Sequence, residues 1–240
     1  MFLVRRYRLE PDTVPLRTAN CKLGTIMDLA LFPLQTVLFP SMKLPLHIFE
    51  ERYKLMVREC VEESVPFGVV LIRGGEEVGE GTVPHNVGTT AKITDIENLD
   101  EGRMNLLTLG VERFRIIAVT TTSPYLRAEV EIVEQRREAV PPDTLARAEA
   151  LFRTYLKLYL EIGNQWTRGV ELPVDSRNAA DYIAARLELP HGAKQQLLEE
   201  LSPTARLDRE IALISEALPE MRVRLEAEQR QRTAGFGVLN

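Results

Sequence analysis

LALFPLQTVLFPSMKLPLHIFEERYKLMVRECV, residues 29–61, decides how the rest of the chain is read. It sets three prolines, Pro33, Pro40 and Pro45, among apolar side chains. Proline fixes its own φ and drives the preceding residue toward extended geometry, so residues 29–46 are expected to be extended and not helical. Such pieces suit sheet edges and bulges, where a missing N–H costs little. From Phe49 the period changes. Phe49, Tyr53, Met56 and Cys60 recur at helical spacing, and Ile48, Leu55 and Val61 widen the apolar stripe. Glu50 and Glu51 suit the first turn of that helix, and Glu50 is spaced to pair with Lys54. Extended chain feeding one helix, with strands to follow, predicts a small mixed barrel.

Further strands follow in order. PFGVVLI (66–72) is a compact apolar run and reads as a buried strand. RGGEEVGEGTVPHN is glycine-rich, but it has no GxxxxGK[ST] and its acids would repel phosphate, so a surface loop is expected. VGTTAKITDIENL and RMNLLTLGVERFRIIAV flank Asp100-Glu101-Gly102 and predict a hairpin with Gly102 left-handed. Gly110 interrupts the second run and suggests a bulge or a sharp bend. In LRAEVEIVE the apolar residues 126, 128, 130 and 132 alternate with charges, as in a half-exposed strand.

The composition shifts at Val140-Pro141-Pro142, and helical periodicity replaces β-branched runs. Leu145, Ala148, Phe152, Tyr155 and Tyr159 predict a helix ending near Gly163. A second helix is expected over about 176–187 and a short third over about 193–201. Ser202-Pro203 is an N-cap followed by proline at the first helical position, so it starts a fourth helix carrying Leu207, Ile211, Ile214 and Leu218. Pro219 should kink or restart it. RVRLEAEQRQR is polar nearly all round and predicts a solvated helix, with a disordered tail after it. The expected organisation is α+β: residues 1–26 an N-terminal arm, 27–138 a β-domain, 139–240 a helical subdomain.

Among 240 residues, 45% hydrophobic and 27% charged content describe a soluble protein with a sizeable core. No apolar run approaches the roughly 18 residues of a membrane span, and no signal peptide opens the chain, so a cytoplasmic, non-membrane protein is expected. A net charge of −5 argues against a dedicated nucleic-acid binder. Cys21 and Cys60 form no ligand spacing, and His47, His85 and His191 lie far apart in sequence, so no metal or cofactor is expected. No GxSxG or SxxK is present. Ser41 and Lys43 would share a face in extended chain, and His47 lies near Glu50, but neither pair has supporting residues for catalysis.

What stands out is apolar. Phe32, Pro33, Leu34, Phe39, Pro40, Met42, Leu44 and Leu46 are more than one edge strand easily buries, and together with Trp166 they are the candidate polypeptide-binding residues. An exposed patch beside an unpaired sheet edge can take an extended peptide. The same side chains fit equally a reading in which all of them pack into the core and against the first helix.

LALFPLQTVLFPSMKLPLHIFEERYKLMV, VGTTAKI and LDEGRMNLLTLGVERFRI closely resemble the amino-terminal substrate-recognition domain of ATP-dependent Lon proteases. DYIAARLELP, KQQLLEELSPTARLDR and LISEAL resemble that family's helical segment. The resemblance runs from about residue 28 to about 225. It implies a PUA-like pseudo β-barrel with one embedded helix, followed by a helical bundle, and a role in binding unfolded or damaged polypeptide. Full-length Lon enzymes continue into ATPase and Ser/Lys protease modules, and this chain is expected to stop where they begin. A non-enzymatic binding protein is therefore expected, acting as an adaptor or chaperone-like module, with full-length Lon and a weak homodimer as further associations. RNA binding by a PUA-like module, or small-molecule sensing in a cleft near Trp166, are the alternatives.

Overall fold

The computed structural model describes residues 26–74, 83–163 and 176–236. The expected N-terminal arm lies outside them except for Ile26, which begins the first strand. That strand, β1 (Ile26–Leu34), carries Pro33 within it, and β2 (Lys43–Ile48) carries Pro45. Helix α1 (Glu51–Glu63) follows, then β3 (Phe67–Gly74), the short β4 (Val83–Pro84), β5 (Val87–Asn98), β6 (Met104–Thr121) and β7 (Arg127–Val133).

β1 changes partner halfway along. Ile26–Ala30 runs antiparallel to Arg127–Glu131 of β7, and Leu31–Leu34 runs parallel to Gly68–Leu71 of β3. With β7 on β6, β6 on β5 and β5 on β3, the pairings close a ring of five strands, while β2 and β4 pair outside it. The parallel pair explains the unbroken apolar runs of β1 and β3, since both faces are covered. On one face Leu29, Leu31, Val70, Ala128, Val130 and Ile132 cluster with Phe114. On the other, Ala30, Phe32, Leu34, Phe67 and Val69 meet Tyr53, Met56, Val57 and Cys60 of α1.

Two glycines make room for Phe114. A Cβ on Gly68 would lie 2.7 Å from its ring, and one on Gly88 would lie 2.6 Å from the ring and 2.5 Å from the Val69 carbonyl oxygen.

The turn between β5 and β6 is as expected, with φ +68° at Gly102, and Glu101 adopts φ 60° as well. Lys54 of α1 reaches this turn, donating to the Glu101 carbonyl at 2.8 Å and to Glu51 at 2.7 Å. The expected Glu50–Lys54 pair is thus replaced, and Glu50 pairs with Arg52 at 2.9 Å. Hydrogen bonding from Lys54 holds the Glu51 carboxyl below its ordinary pKa.

Downstream lie α2 (Pro142–Ile162), α3 (Ser176–Arg186), α4 (His191–Glu199) and α5 (Pro203–Phe236). Two compact units emerge. One comprises the chain through Gln135 together with Ala184–Glu199, and the other comprises Arg136–Ile183 with the chain from Glu200 onward. Helix α4 therefore packs with the sheet although it follows α2 and α3 in sequence. The reason is polar: the buried Gln195 amide donates to the Val87 carbonyl at 2.9 Å, and buried Arg113 of β6 donates to the Leu198 carbonyl at 2.9 Å.

The second unit is helical. Ala148, Phe152 and Tyr155 of α2 are buried, as are Ala179, Ala180 and Ile183 of α3 and Leu207, Ile211, Ile214 and Leu218 of α5. Ser202 caps α5 as expected, its hydroxyl accepting from the Ala205 N–H at 3.0 Å. Glu138 adds a second acceptor, taking the Ser202 hydroxyl at 2.5 Å and the Thr204 N–H at 3.2 Å. These bonds hold its carboxyl below the usual carboxylate pKa. Pro219 neither ends nor restarts α5, which continues as one helix through Phe236, past the start of the expected disordered tail. Inside this unit Arg206 and Asp181 form an ion pair at 2.5 Å with both side chains fully buried.

Two substitutions test these packings, each read as a fall in unfolding free energy by denaturant titration. Gly88→Ala is expected to cost about 1–3 kcal/mol through overpacking against Phe114 and the Val69 carbonyl. Asp181→Ala is expected to cost about 3–5 kcal/mol, because it strips the carboxylate from a buried guanidinium.

Candidate binding surface

The ribbon between β1 and α1 divides into a buried part and a half-open part. Phe32, Pro33, Leu34 and Phe39 are core residues, so for these four candidates the packed reading holds. Both faces of β1 are covered, and the turn after it is clamped onto β6. Ser41 N–H donates to the Gly110 carbonyl at 2.8 Å, and Gly110 N–H donates to the Met42 carbonyl at 2.9 Å. A Cβ on Gly110 would fall 2.2 Å from the Phe39 carbonyl oxygen, so glycine serves close backbone approach there. The irregularity expected at Gly110 appears as a register shift between Thr89 and Ala91 on the facing strand. The buried Thr89 hydroxyl donates to the Leu38 carbonyl at 2.6 Å, pinning the same turn from β5.

Pro40, Met42, Leu44 and Leu46 remain half-buried. Trp166 lies outside the described residues. Along β2 exposure alternates: Lys43, Pro45 and His47 face solvent, while Leu44, Leu46 and Ile48 face the core. The register carries this alternation across three strands. Leu44, Thr108 and Ile93 form one inner row, and Leu46, Leu106 and Ile96 form the next. Thr108 and Leu106, in the middle strand, are fully buried, but the flanking Leu44, Leu46, Ile93 and Ile96 are only partly covered. Met42 joins them against the core. Sequence alternation does not place Ile93 and Ile96 on one face, because a register shift between Ile93 and Asp95 interrupts the strand's period.

Phe49 adds a fully formed contact group. The helical stripe placed it inward, yet α1 begins at Glu51, and Phe49 is 56% exposed in the joint before it. Leu55 and Val61 also face outward, so the buried face of α1 is narrower than the sequence period suggests. Phe49 stacks beside His47, with ring centroids 6.1 Å apart. The outer row at this end is polar: His47 Nδ1 lies 2.8 Å from Asn105 Oδ1, and the Asn105 amide donates to Glu97 at 3.0 Å. The carboxylate fixes the amide orientation, so the Asn105 oxygen accepts from Nδ1–H. His47 is held structurally, with no dyad to Glu50.

Neither Ser41 nor Cys60 is placed for nucleophilic attack. Ser41 adopts φ 62° in the turn before β2, which removes the extended spacing that would align it with Lys43. Burial pushes the Cys60 thiol up to about 11, so it stays protonated and unreactive near neutrality. Among the described residues no cluster of three His, Cys, Asp or Glu could hold a metal ion. Among them, too, no helix is long and apolar enough to cross a membrane. The arrangement offers contact area for an apolar partner.

Comparison with known proteins gives this surface its context. A family model described as the ATP-dependent protease La (LON) substrate-binding domain matches residues 28–216. A Lon protease of Anaeromyxobacter dehalogenans is 31% identical over 192 residues, covering 78% of this chain and 23% of the relative. Lon protease 2 of Myxococcus xanthus is 30% identical over the same length, with the same coverage. The chain thus spans about a quarter of the length of these curated relatives. Among solved structures, a Lon N-terminal domain protein from Xanthomonas campestris superposes with a TM-score of 0.60 at 28% identity, covering 78% of this chain and 98% of that one. The N-terminal domain of a Mycobacterium avium complex Lon protease has a TM-score of 0.55 at 18% identity over 79% and 98%, a likeness of fold.

The thiol supplies a test of the packing beneath the surface. In a Cys21→Ser variant, Cys60 should resist iodoacetamide at pH 8 and react promptly once urea unfolds the chain. Its raised pKa favours the folded state below the ordinary thiol value of 9.0, and that contribution is lost as pH rises toward 11. Rapid native-state alkylation at pH 8 would mean that α1 does not cover the thiol.

Proposed function

This chain belongs to the family of Lon protease substrate-binding domains, and from that premise we propose that it is a non-enzymatic recognition protein for unfolded or extended hydrophobic polypeptide. The observation that carries the reading is the grouping of incompletely buried apolar side chains, Met42, Leu44, Leu46, Ile93 and Ile96, around fully buried strand residues. Phe49 stands exposed just past the end of the same strand. Apolar contact without directional chemistry suits partners that share exposed hydrophobic segments and little sequence.

Binding by one copy is weak on this reading, because a flexible partner must be ordered as it docks. A chain of this kind works as an adaptor or chaperone-like module, alone or beside a full-length Lon protease in the cytoplasm. A weak homodimer would raise its avidity. The strand ring is, on the same reading, a PUA-like pseudo-barrel whose role is to present this surface. The net charge of −5 weighs against RNA as the partner.

Suppression of aggregation of a chemically denatured client, followed by light scattering, tests the proposal. Phe49→Asp is expected to weaken protection about tenfold, as for loss of an aromatic anchor, with the denaturant midpoint unchanged. Phe39→Asp, by contrast, should unfold the protein, since that ring is fully buried. Failure of the native chain to protect or bind any denatured client would end this reading.

A further inference from the structure

Pro45 lies at the centre of β2, and the direction its nitrogen faces follows from the hydrogen bonds at the strand's start. Gly110 accepts from Ser41 N–H and donates to the Met42 carbonyl, so its backbone groups point to the β2 side of β6. Strand alternation then sends the backbone groups of Thr108, Leu106 and Met104 toward β2 and those of Leu109, Leu107 and Asn105 toward β5. In the observed register Leu44, Leu46 and Ile48 are therefore the hydrogen-bonded partners of β6. Lys43, Pro45 and His47 turn their backbones to the opposite edge. Among the described residues β2 pairs with β6 alone, so that edge is open.

An extended polypeptide adding to the edge would meet a donor and an acceptor at Lys43, an acceptor alone at Pro45, and a donor and an acceptor at His47. The middle of the ladder lacks its N–H, and the pyrrolidine ring occupies the space an incoming carbonyl would need. Proline at such a position is one way an exposed strand avoids pairing with other chains. A protein that meets unfolded segments would otherwise offer them a template that ignores sequence.

We propose that Pro45 sets the mode of engagement at this surface: it refuses sheet extension, so that polypeptide is held through side chains and not through a backbone ladder. The inference rests on the polypeptide-binding reading for its partner, an extended apolar segment. It applies equally to a second copy of the chain, which Pro45 prevents from pairing edge to edge. Contact through partly covered side chains such as Leu44 and Leu46 then makes binding depend on the partner's side chains and leaves release unhindered by main-chain bonds.

The test uses the full chain, its Pro45→Val variant, and a fluorescent β-prone apolar peptide with and without N-methylation at alternate amides. Native protein should bind both peptides with similar affinity. The variant should bind the unmethylated peptide about three- to tenfold more tightly, the effect of about one restored hydrogen bond, and lose that gain with the methylated one. Its sedimentation should show more self-association at equal concentration. Native binding that falls several-fold on methylation overturns the inference, and this arm holds even if the variant fails to fold. So does a folded variant that matches the native chain in all three readings. If the native chain binds neither peptide while the variant self-associates, the edge inference stands and the polypeptide reading falls.

Discussion

A strand covered on both faces needs apolar side chains at consecutive positions, and the packing of β1 and β3 rests on that demand. Phe114 fills one side of the pair, against positions where Gly68 and Gly88 carry no side chain. Helix α1 fills the other with Tyr53, Met56, Val57 and Cys60. The partner change midway through β1 lets one strand join β7 and β3 and so complete the ring of pairings. Pro33 is tolerated within a strand whose two halves bond to different neighbours. The greasiness of LALFPL is thereby consumed by the fold.

That consumption decides which apolar side chains are left partly open. With β1 spoken for, the partly covered apolar side chains packed against this core include those of β2 and the outer end of β5, and Phe49 is exposed at the joint. β2 is suited to this because it leans on β6 alone, leaving its inner-row side chains covered from one side. The clamp between Gly110 and the turn at 41–42 fixes where β2 begins, and hence which of its residues face inward. A one-residue slip would exchange Leu44 and Leu46 for Lys43 and Pro45 on the inner face. Backbone approach at a glycine thus governs which side chains the surface displays.

Local chemistry was legible where it dictates backbone form. The prolines announced extended chain, Asp100-Glu101-Gly102 announced a tight turn, and Ser202-Pro203 announced a helix start, all of which the structure contains. Legibility failed where the answer depends on what lies opposite. Phe32 and Leu34 look like surplus apolar residues until a parallel partner covers them. Phe49 fits the helical period, but the chain before Glu51 is not helix, so the period does not apply to it. Glu50 and Lys54 have a favourable spacing, yet the Glu101 carbonyl draws the ammonium toward the turn and Glu51 is within its reach. No local signal marks Arg113, Gln195, Asp181 or Arg206 as buried, because each is stabilised by groups distant in sequence.

The same reasoning bears on where one unit stops and the other starts. Composition changes abruptly at Val140-Pro141-Pro142, and the first crossing between units, at Gln135/Arg136, lies close to it. Yet α4 returns to the sheet, so the chain crosses between units again at Ala184 and at Glu200. Composition could not reveal this, since α4 is as helical as its neighbours. What holds it to the sheet is a pair of buried donors, the Arg113 guanidinium and the Gln195 amide, each satisfied by a main-chain carbonyl across the α4–sheet contact. Removing α4 would leave Arg113 without the carbonyl of Leu198, a costly state for a buried cation. The sheet unit is accordingly not encoded by one continuous stretch, because α4, from the helical segment, packs on β5 and β6.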